Sequence, residues 1–421
     1  MSVEENAARI IRTAAESMGL DIAIALWNGE RIGPAAGPAI KVNDPMAVRQ
    51  LALHPNFDTV VELWAAKAVD IEDGTIFDIA ERPGNRGLKH KLKNLPKWQL
   101  LKEVPALLFG ARGAAVSGLD GTNPFVRGSN KDAISHHYDV SNAFYQLFLD
   151  KRMLYSCAYF TDWNNSLDKA QEDKLDLICR KLRLKQGESM LDIGCGWGAL
   201  MIHAAKHYGV TVQGVSLSEA QTEFARRRIK EEGLEDKINI QIMPYDRVEG
   251  QFDKISSIEM FEHVGRPSHS AYFACVNRLL KPGGLYLHQA TTRRMKRSEA
   301  KWRRMAPEYR AVVKYIFPGG DLDHPAMSIG NMESHGFEVH DVENLRPHFA
   351  KTCRIWAERL HARMDEAAAE VGESKARLWL LYLAGVSLGF ERGTIQVNQT
   401  LASKRKRGLN AVPPTRKDLY R

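Results

Sequence analysis

Met190-Leu191-Asp192-Ile193-Gly194-Cys195-Gly196-Trp197-Gly198 is the stretch on which the reading of the chain turns. A short apolar run ends in Asp192, three glycines follow at alternate positions, and a helical pattern starts at once and continues through 199–208. Strand, tight turn and helix therefore follow one another without a spacer. Gly194 and Gly196 permit a turn that a Cβ would obstruct and let a ligand approach the main chain. No Lys follows, so this is not the phosphate-cradling G-x-x-x-x-G-K-[ST] loop. The full G-x-G-x-x-G spacing of dinucleotide folds is also missing.

Outward from this turn the pattern alternates. A helix at 167–182 leads into the loop. Strands at 210–215, 238–243, 252–258 and 284–290 are interleaved with helices at 218–232 and 268–280. Such alternation predicts an α/β fold with a doubly wound, mostly parallel sheet. Sheets of this kind bind ligands beyond the carboxyl ends of their strands, where the glycine turn lies. Further on, a strand is expected at 336–342, helices at 353–371 and 374–388, and a closing strand at 394–397.

The first part of the chain differs in character. A helical pattern within 1–20 is followed by alternation at 21–27 toward Asn28-Gly29, a hairpin signal. A strand at 39–42 and helices at 44–53, 57–68 and near 76–80 complete a small α+β domain assigned to 1–110. Gly, Asn and Ser mark 111–132 as a linker. The catalytic domain is assigned to 133–400, and 401–421, which contains Lys404-Arg405-Lys406-Arg407, reads as a mobile basic tail. Residues 293–320 leave the alternation with a basic cluster and then Tyr309, Tyr315 and Phe317, the mark of a lid insertion.

A length of 421 residues favours two domains. The balance of 59 basic against 51 acidic residues, net +8, favours an anionic partner, either nucleic acid or an anionic membrane surface. Residues 86–102 interleave Lys89, Lys91, Lys93 and Lys97 with leucines and Trp98, which suits either a solvated face or a segment lying on lipid. Pro96 rules out one continuous helix there. No apolar run approaches the roughly 18 residues of a spanning helix, and the acidic N-terminus lacks the pattern of a signal peptide. Five cysteines without paired metal spacing fit a reducing cytoplasm and no metal site.

The form D-x-G-x-G-x-G after a strand resembles the S-adenosylmethionine (SAM) loop of Rossmann-like class I methyltransferases. Further stretches narrow the resemblance: His136-His137-Tyr138-Asp139, Tyr155-Ser156-Cys157-Ala158-Tyr159-Phe160, Ser216-Leu217-Ser218-Glu219-Ala220-Gln221, Met260-Phe261-Glu262-His263-Val264-Gly265 and Ile316-Phe317-Pro318-Gly319-Gly320. Together with the glycine turn and in this order, they resemble the cyclopropane fatty acid synthases, including the mycolic acid cyclopropane synthases. The first 125 residues resemble, more loosely, the extra N-terminal domain of longer bacterial members.

The resemblance implies a SAM-dependent enzyme acting on cis double bonds of unsaturated acyl chains in phospholipids. It assigns SAM contacts to Tyr155 and Ser156, to Asp192, Gly194, Cys195, Gly196, Trp197 and Gly198, to Ser216, Leu217 and Gln221, and to Tyr245 and Asp246. A bicarbonate would take up the proton, held by residues matching Cys157, Glu262 and His288, by the Ala290 amide and by a tyrosine hydroxyl. At that last position this chain has Phe349, and the fifth strand ends Leu287-His288-Gln289-Ala290, where synthases usually carry His-Thr-Ile. The missing hydroxyl places bicarbonate in doubt and leaves two products open: a cyclopropane, or a methyl-branched, methylene or methylated diene chain without ring closure. A nucleic-acid methyltransferase would carry Asn/Asp-Pro-Pro-Tyr/Phe where Glu259-Met260-Phe261-Glu262 stands, so nucleic acid is not expected as a partner. The expected location is the cytoplasm, peripherally on the inner membrane face, and the sequence permits a homodimer without specifying one.

Overall fold

The computed structural model describes residues 3–18, 21–82, 140–408 and 412–419. The basic segment 86–102, the linker 111–132 and the motif at 136–139 lie outside the described residues. The chain divides into two compact units. One comprises 1–124 with 306–315 and 372–384; the other comprises 125–305, 316–371 and 385–421.

The second unit is built on a seven-stranded sheet in the order β10-β11-β9-β8-β5-β6-β7. Its strands are β5 (Ser189–Ile193), β6 (Thr211–Ser216), β7 (Ile238–Ile242), β8 (Phe252–Ile258), β9 (Leu280–Arg293), β10 (Phe337–Asn344) and β11 (Ile395–Lys404). The pairs β5–β6, β6–β7, β5–β8 and β8–β9 are parallel, and β11 runs antiparallel to both β9 and β10. The chain leaves β5 toward β6 on one side, while β8 flanks it on the other. The crevice of this Rossmann-like, doubly wound sheet therefore opens at the carboxyl end of β5.

Both faces of the sheet are covered. On one, Met190, Val212, Leu287 and Leu401 pack with Leu175, Ile178 and Leu182 and with Met201 and Ala205. On the other, Leu191, Ile193, Tyr286 and Ala290 pack with Tyr272, Phe273 and Val276 of the helix His269–Leu279. Burial on both faces accounts for the near-continuous apolar run of β5.

Three expectations change at the C-terminal end. The closing strand is ten residues long, not four, and it reaches into the segment assigned to the tail. Its Asn398, Gln399, Thr400 and Ser403 are buried and polar, so it does not read as a core strand. Three of them have side-chain partners that explain it: Asn398 donates to Thr292 Oγ1 at 3.1 Å, Gln399 to Gln289 Oε1 at 2.7 Å, and Ser403 Oγ meets His340 Nε2 at 2.8 Å. The end of the expected mobile tail is docked, with Asp418 paired to Arg183 at 3.0 Å and Leu419 buried. The helix expected at 353–371 is two, Arg346–His361 and Met364–Val371.

The first unit holds the four-stranded sheet β2-β1-β3-β4, formed by β1 (Ala23–Ala25), β2 (Arg31–Ile32), β3 (Ala39–Val42) and β4 (Val69–Glu72). The Asn28-Gly29 turn joins β1 and β2 as a hairpin. Residues from far along the chain complete this unit. Trp64 Nε1 donates to the Arg377 carbonyl at 2.8 Å, Arg377 Nε donates to the Trp64 carbonyl at 2.7 Å, and the guanidinium lies 4.3 Å from the indole. Tyr315, from the segment assigned to a lid, donates to Glu62 at 3.0 Å. The domain expected at 1–110 is thus discontinuous, and 306–315 belong to it.

Candidate active site

The glycine turn folds as its composition requires. Gly194, Gly196 and Gly198 all have positive φ, at 78°, 54° and 83°. A Cβ on Gly194 would come within 2.6 Å of Met260 Cγ, whereas one on Gly196 would project into open space. That opening is the cradle a bound nucleotide needs, and Gly198 starts the helix Ala199–Tyr208, whose positive end faces it. Asp192 is buried at the end of β5 and accepts from Ser256 Oγ at 2.6 Å; desolvation raises its pKa to about 6. The Cys195 side chain turns into the core, so this residue offers the loop only its main chain. At the end of β6, Ser216 Oγ donates to Gln221 Oε1 at 3.2 Å, and Leu217 follows half-buried. Tyr245 stands edge-on to Tyr272 at 5.1 Å, and the Asp246 carbonyl is held by Arg278.

The segment 153–160 approaches the same end of the sheet. Tyr155 leans on Trp356 at 5.3 Å and on Tyr145 at 5.4 Å, and Tyr145 meets Trp197 edge-on at 5.0 Å. Trp197 Nε1 donates to Asn142 Oδ1 at 2.8 Å. An aromatic wall therefore ties Tyr155 to the glycine turn. Ser156 Oγ accepts from the buried Lys174 ammonium at 2.7 Å, and its carbonyl accepts from Gln171 at 2.9 Å. The structure thus gathers the residues assigned to SAM at the carboxyl ends of β5 and β6. Tyr145, Asn142, Gln171 and Lys174 support them and carry no motif that would have singled them out.

Beside this lies a pair of half-buried carboxylates. Glu259 follows β8 with φ 53°, left-handed backbone that favours glycine. Its Oε1 accepts the Cys157 N–H at 2.9 Å and the Gln289 amide at 2.5 Å, and Gln289 in turn accepts from Gln399 at 2.7 Å. Desolvation, and then the neighbouring Glu262, push the Glu259 pKa up. Glu262 Oε1 accepts the Thr291 N–H at 2.6 Å. Its Oε2 is buried without a hydrogen-bond partner among the described residues, and desolvation raises its pKa to about 7. Cys157 is fully buried, and burial followed by Glu259 holds its thiol well above the usual range, so it is a wall and not a nucleophile.

Cys157 and Glu262 therefore meet around Glu259, the residue that motif reading missed. A non-glycine residue in left-handed backbone with a half-buried, hydrogen-bonded carboxylate is visible only once the chain is folded. His288 is placed differently. Successive strand residues face opposite sides, so His288 sits with Tyr286, Phe261 and Phe273 while Gln289 faces Glu259. Its Nδ1 lies 3.0 Å from the Tyr286 hydroxyl, and burial lowers its pKa to about 3. Phe349 packs on Phe390 at 4.5 Å and edge-on to Trp356 at 6.0 Å. These residues do not fit a bicarbonate. The Cys157 N–H is already engaged by Glu259, two carboxylates would face the anion, and Phe349 has no hydroxyl to offer.

Residues 127–400 match the family model described as mycolic acid cyclopropane synthetase. The chain belongs to this family. It is 38% identical to a probable fatty acid methyltransferase of Pseudomonas putida over 97% of this chain and 98% of that one. It is 38% identical to the cyclopropane-fatty-acyl-phospholipid synthase of Escherichia coli strain K12 over 64% of this chain and 66% of that one. A crystal structure of a mycolic acid cyclopropane synthase complexed with SAH and CTAB superposes with a TM-score of 0.63 at 34% identity, covering 66% of this chain and 99% of that one. The protein is a SAM-dependent methyltransferase of the Rossmann-like class I fold. Among the described residues no helix is long and apolar enough to cross a membrane.

Proposed function

We propose that the enzyme transfers the SAM methyl to the cis double bond of an unsaturated acyl chain of a membrane phospholipid and closes a cyclopropane ring. The observation that carries this reading is the half-buried, desolvated Glu259–Glu262 pair beside Cys157, next to the glycine turn. When bound, SAM supplies an electrophilic methyl carbon. The alkene is a weak nucleophile, so the chain must align it and exclude water from the carbocation left behind. Tyr155, Trp197 and Trp356 supply apolar walls whose π faces favour a nearby cation. A carboxylate then takes a proton from the new methyl, and the released C–H pair closes the ring. Glu259, fixed by Cys157 and Gln289, is the acceptor we assign, with Glu262 receiving or sharing the proton.

A second reading, methylation without ring closure, is favoured by Phe349 and by the full-length similarity to a protein named a fatty acid methyltransferase. Trideuteriomethyl SAM and vesicles of a monounsaturated phospholipid separate the two. A cyclopropane keeps two deuterons and shows them as ring methylene deuterons by deuterium NMR. A methyl-branched alkene keeps all three. Absence of label from the acyl chain would overturn both. The basic surface fits peripheral attachment to an anionic inner membrane face.

A further inference from the structure

On the outer side of the segment and helix that wall the site lies a cleft of about 840 Å³. One edge is formed by 163–167, the start of the helix Leu167–Lys181; the other is the first three turns of the helix Arg346–His361. The helix Arg346–His361 lines the cleft along most of its length, from Arg346 to Arg359, while the helix Leu167–Lys181 borders it with its N-terminus. Arg346, Lys351, Arg354 and Arg359 line it, against Glu358 and Glu391.

The way these cations are held matters. Arg346 donates to the Phe390 and Glu391 carbonyls at 2.7 and 3.0 Å, Arg359 to the Leu149 carbonyl at 2.8 Å, and Lys351 to the Trp163 carbonyl. A carbonyl fixes a cation without neutralising it. Among the described residues, Arg354 is the one of the four that meets a carboxylate, Glu391, at 2.8 Å. At the rim stands Trp163, 51% exposed, stacked on His348 at 5.1 Å with Lys351 Nζ 5.8 Å from its ring. An exposed indole beside fixed cations is the pairing that suits a lipid headgroup region, where the ring sits at the interface and the charges meet phosphate.

The cleft shares both walls with the site. Six residues before Trp163, Cys157 donates to Glu259. The Phe160 N–H donates to His348 Nδ1 at 3.0 Å, and the Ala158 N–H donates to Thr352 Oγ1 at 3.1 Å. Phe349 sits on the same helix as Lys351.

We propose that this cleft docks the headgroup of an anionic phospholipid at the bilayer surface and so seats the catalytic unit on its substrate membrane. The inference rests on the phospholipid reading above. The test is co-sedimentation of the full-length protein with phosphatidylglycerol and with phosphatidylcholine vesicles. The expected result is wild-type binding to phosphatidylglycerol, weakened about tenfold or more in Lys351→Glu/Arg354→Glu. Trp163→Ala, at an exposed side chain, should weaken it severalfold. Lys230→Glu, on a distant helix, should leave it unchanged. Melting temperature and SAM binding, measured on the same samples, should hold in all variants. Equal vesicle binding by wild type, Lys351→Glu/Arg354→Glu and Trp163→Ala would overturn the cleft while leaving the phospholipid reading standing. Equal loss in Lys230→Glu would also overturn it, as diffuse charge attraction. Failure of the wild type to bind any vesicle, with acyl methylation confined to dispersed substrate, would overturn both.

Discussion

The backbone N–H of Cys157 donates to Oε1 of Glu259 at 2.9 Å, joining residues far apart in sequence and fixing a half-buried carboxylate beside the glycine turn. If Glu259 receives the proton, Glu259→Gln should keep both hydrogen-bonded neighbours in place and remove only the basicity. Product formation should fall by about 10²–10⁴-fold with SAM affinity unchanged. Labelled-SAM turnover and equilibrium dialysis read the two quantities separately, and activity within a few fold of wild type would remove Glu259 from the proton transfer.

Two pH effects of opposite sign follow from the carboxylates. The acceptor must be ionised, so turnover should rise with pH through the Glu262 value of about 7 and level off above the higher range to which Glu259 is pushed. Stability moves the other way. The folded state holds protons that the unfolded chain, at the ordinary 4.5, has already released. Their contribution is therefore full below 4.5 and is lost as pH rises through about 7. Melting temperature should decline from mildly acidic to mildly alkaline pH, and Glu259→Gln should decline less steeply. A flat wild-type profile would contradict the burial of ionisable carboxyls.

Gly194→Ala should damage the cradle specifically. Its φ of 78° resists a side chain, and the added methyl would meet Met260 Cγ at 2.6 Å. The strain should cost about 1–3 kcal/mol and displace the turn, so SAM affinity should fall by more than stability alone accounts for. Gly196→Ala offers the comparison, because its Cβ meets nothing and would intrude only on a bound ligand. It should weaken SAM binding with a smaller loss of melting temperature.

The glycine turn and the mostly parallel sheet around it were legible because glycine spacing and apolar periodicity are local properties. What escaped was non-local. The closing strand reads as four residues that stop before Asn398, because Asn398 and Gln399 satisfy their amides on β9, a partner more than a hundred residues away. Glu259 carries no sign of a role in sequence, because its partners, the 157 segment and Gln289, reach it only in the fold. Arg377 gives no sign in sequence that it completes the N-terminal unit.

That arginine supplies its own test. Arg377 is buried, bonds the Trp64 and Val69 carbonyls and pairs with Asp70 at 3.2 Å. Arg377→Met keeps the stem and deletes the charge, leaving Asp70 and two carbonyls without their donor. Unfolding of the N-terminal unit should become easier by about 3 kcal/mol. Hydrogen exchange should show this loss in the helix Phe57–Ala65 and not in β5 or β8. Uniform destabilisation would mean that the units do not unfold separately.

Phe349 decides whether the missing hydroxyl matters. Its ring packs on Phe390 at 4.5 Å and faces Trp356 edge-on, so Phe349→Tyr buries a phenol among aromatic rings and should lower stability by about 1–3 kcal/mol. With Glu259 taking the proton, no hydroxyl is required there to hold an anion. The labelled product should then keep the wild-type deuterium content and ring signal, with turnover changed by no more than a few fold. A rise in the ring-closed fraction in Phe349→Tyr would mean that the wild-type site lets the cation escape by another route, and the reading without ring closure would replace the one proposed. Pairing the variant with Glu259→Gln sharpens the comparison. If the added phenol allowed an external base to bind, the double variant would recover ring closure that Glu259→Gln alone had lost; if Glu259 is the acceptor and nothing binds in its place, it would not.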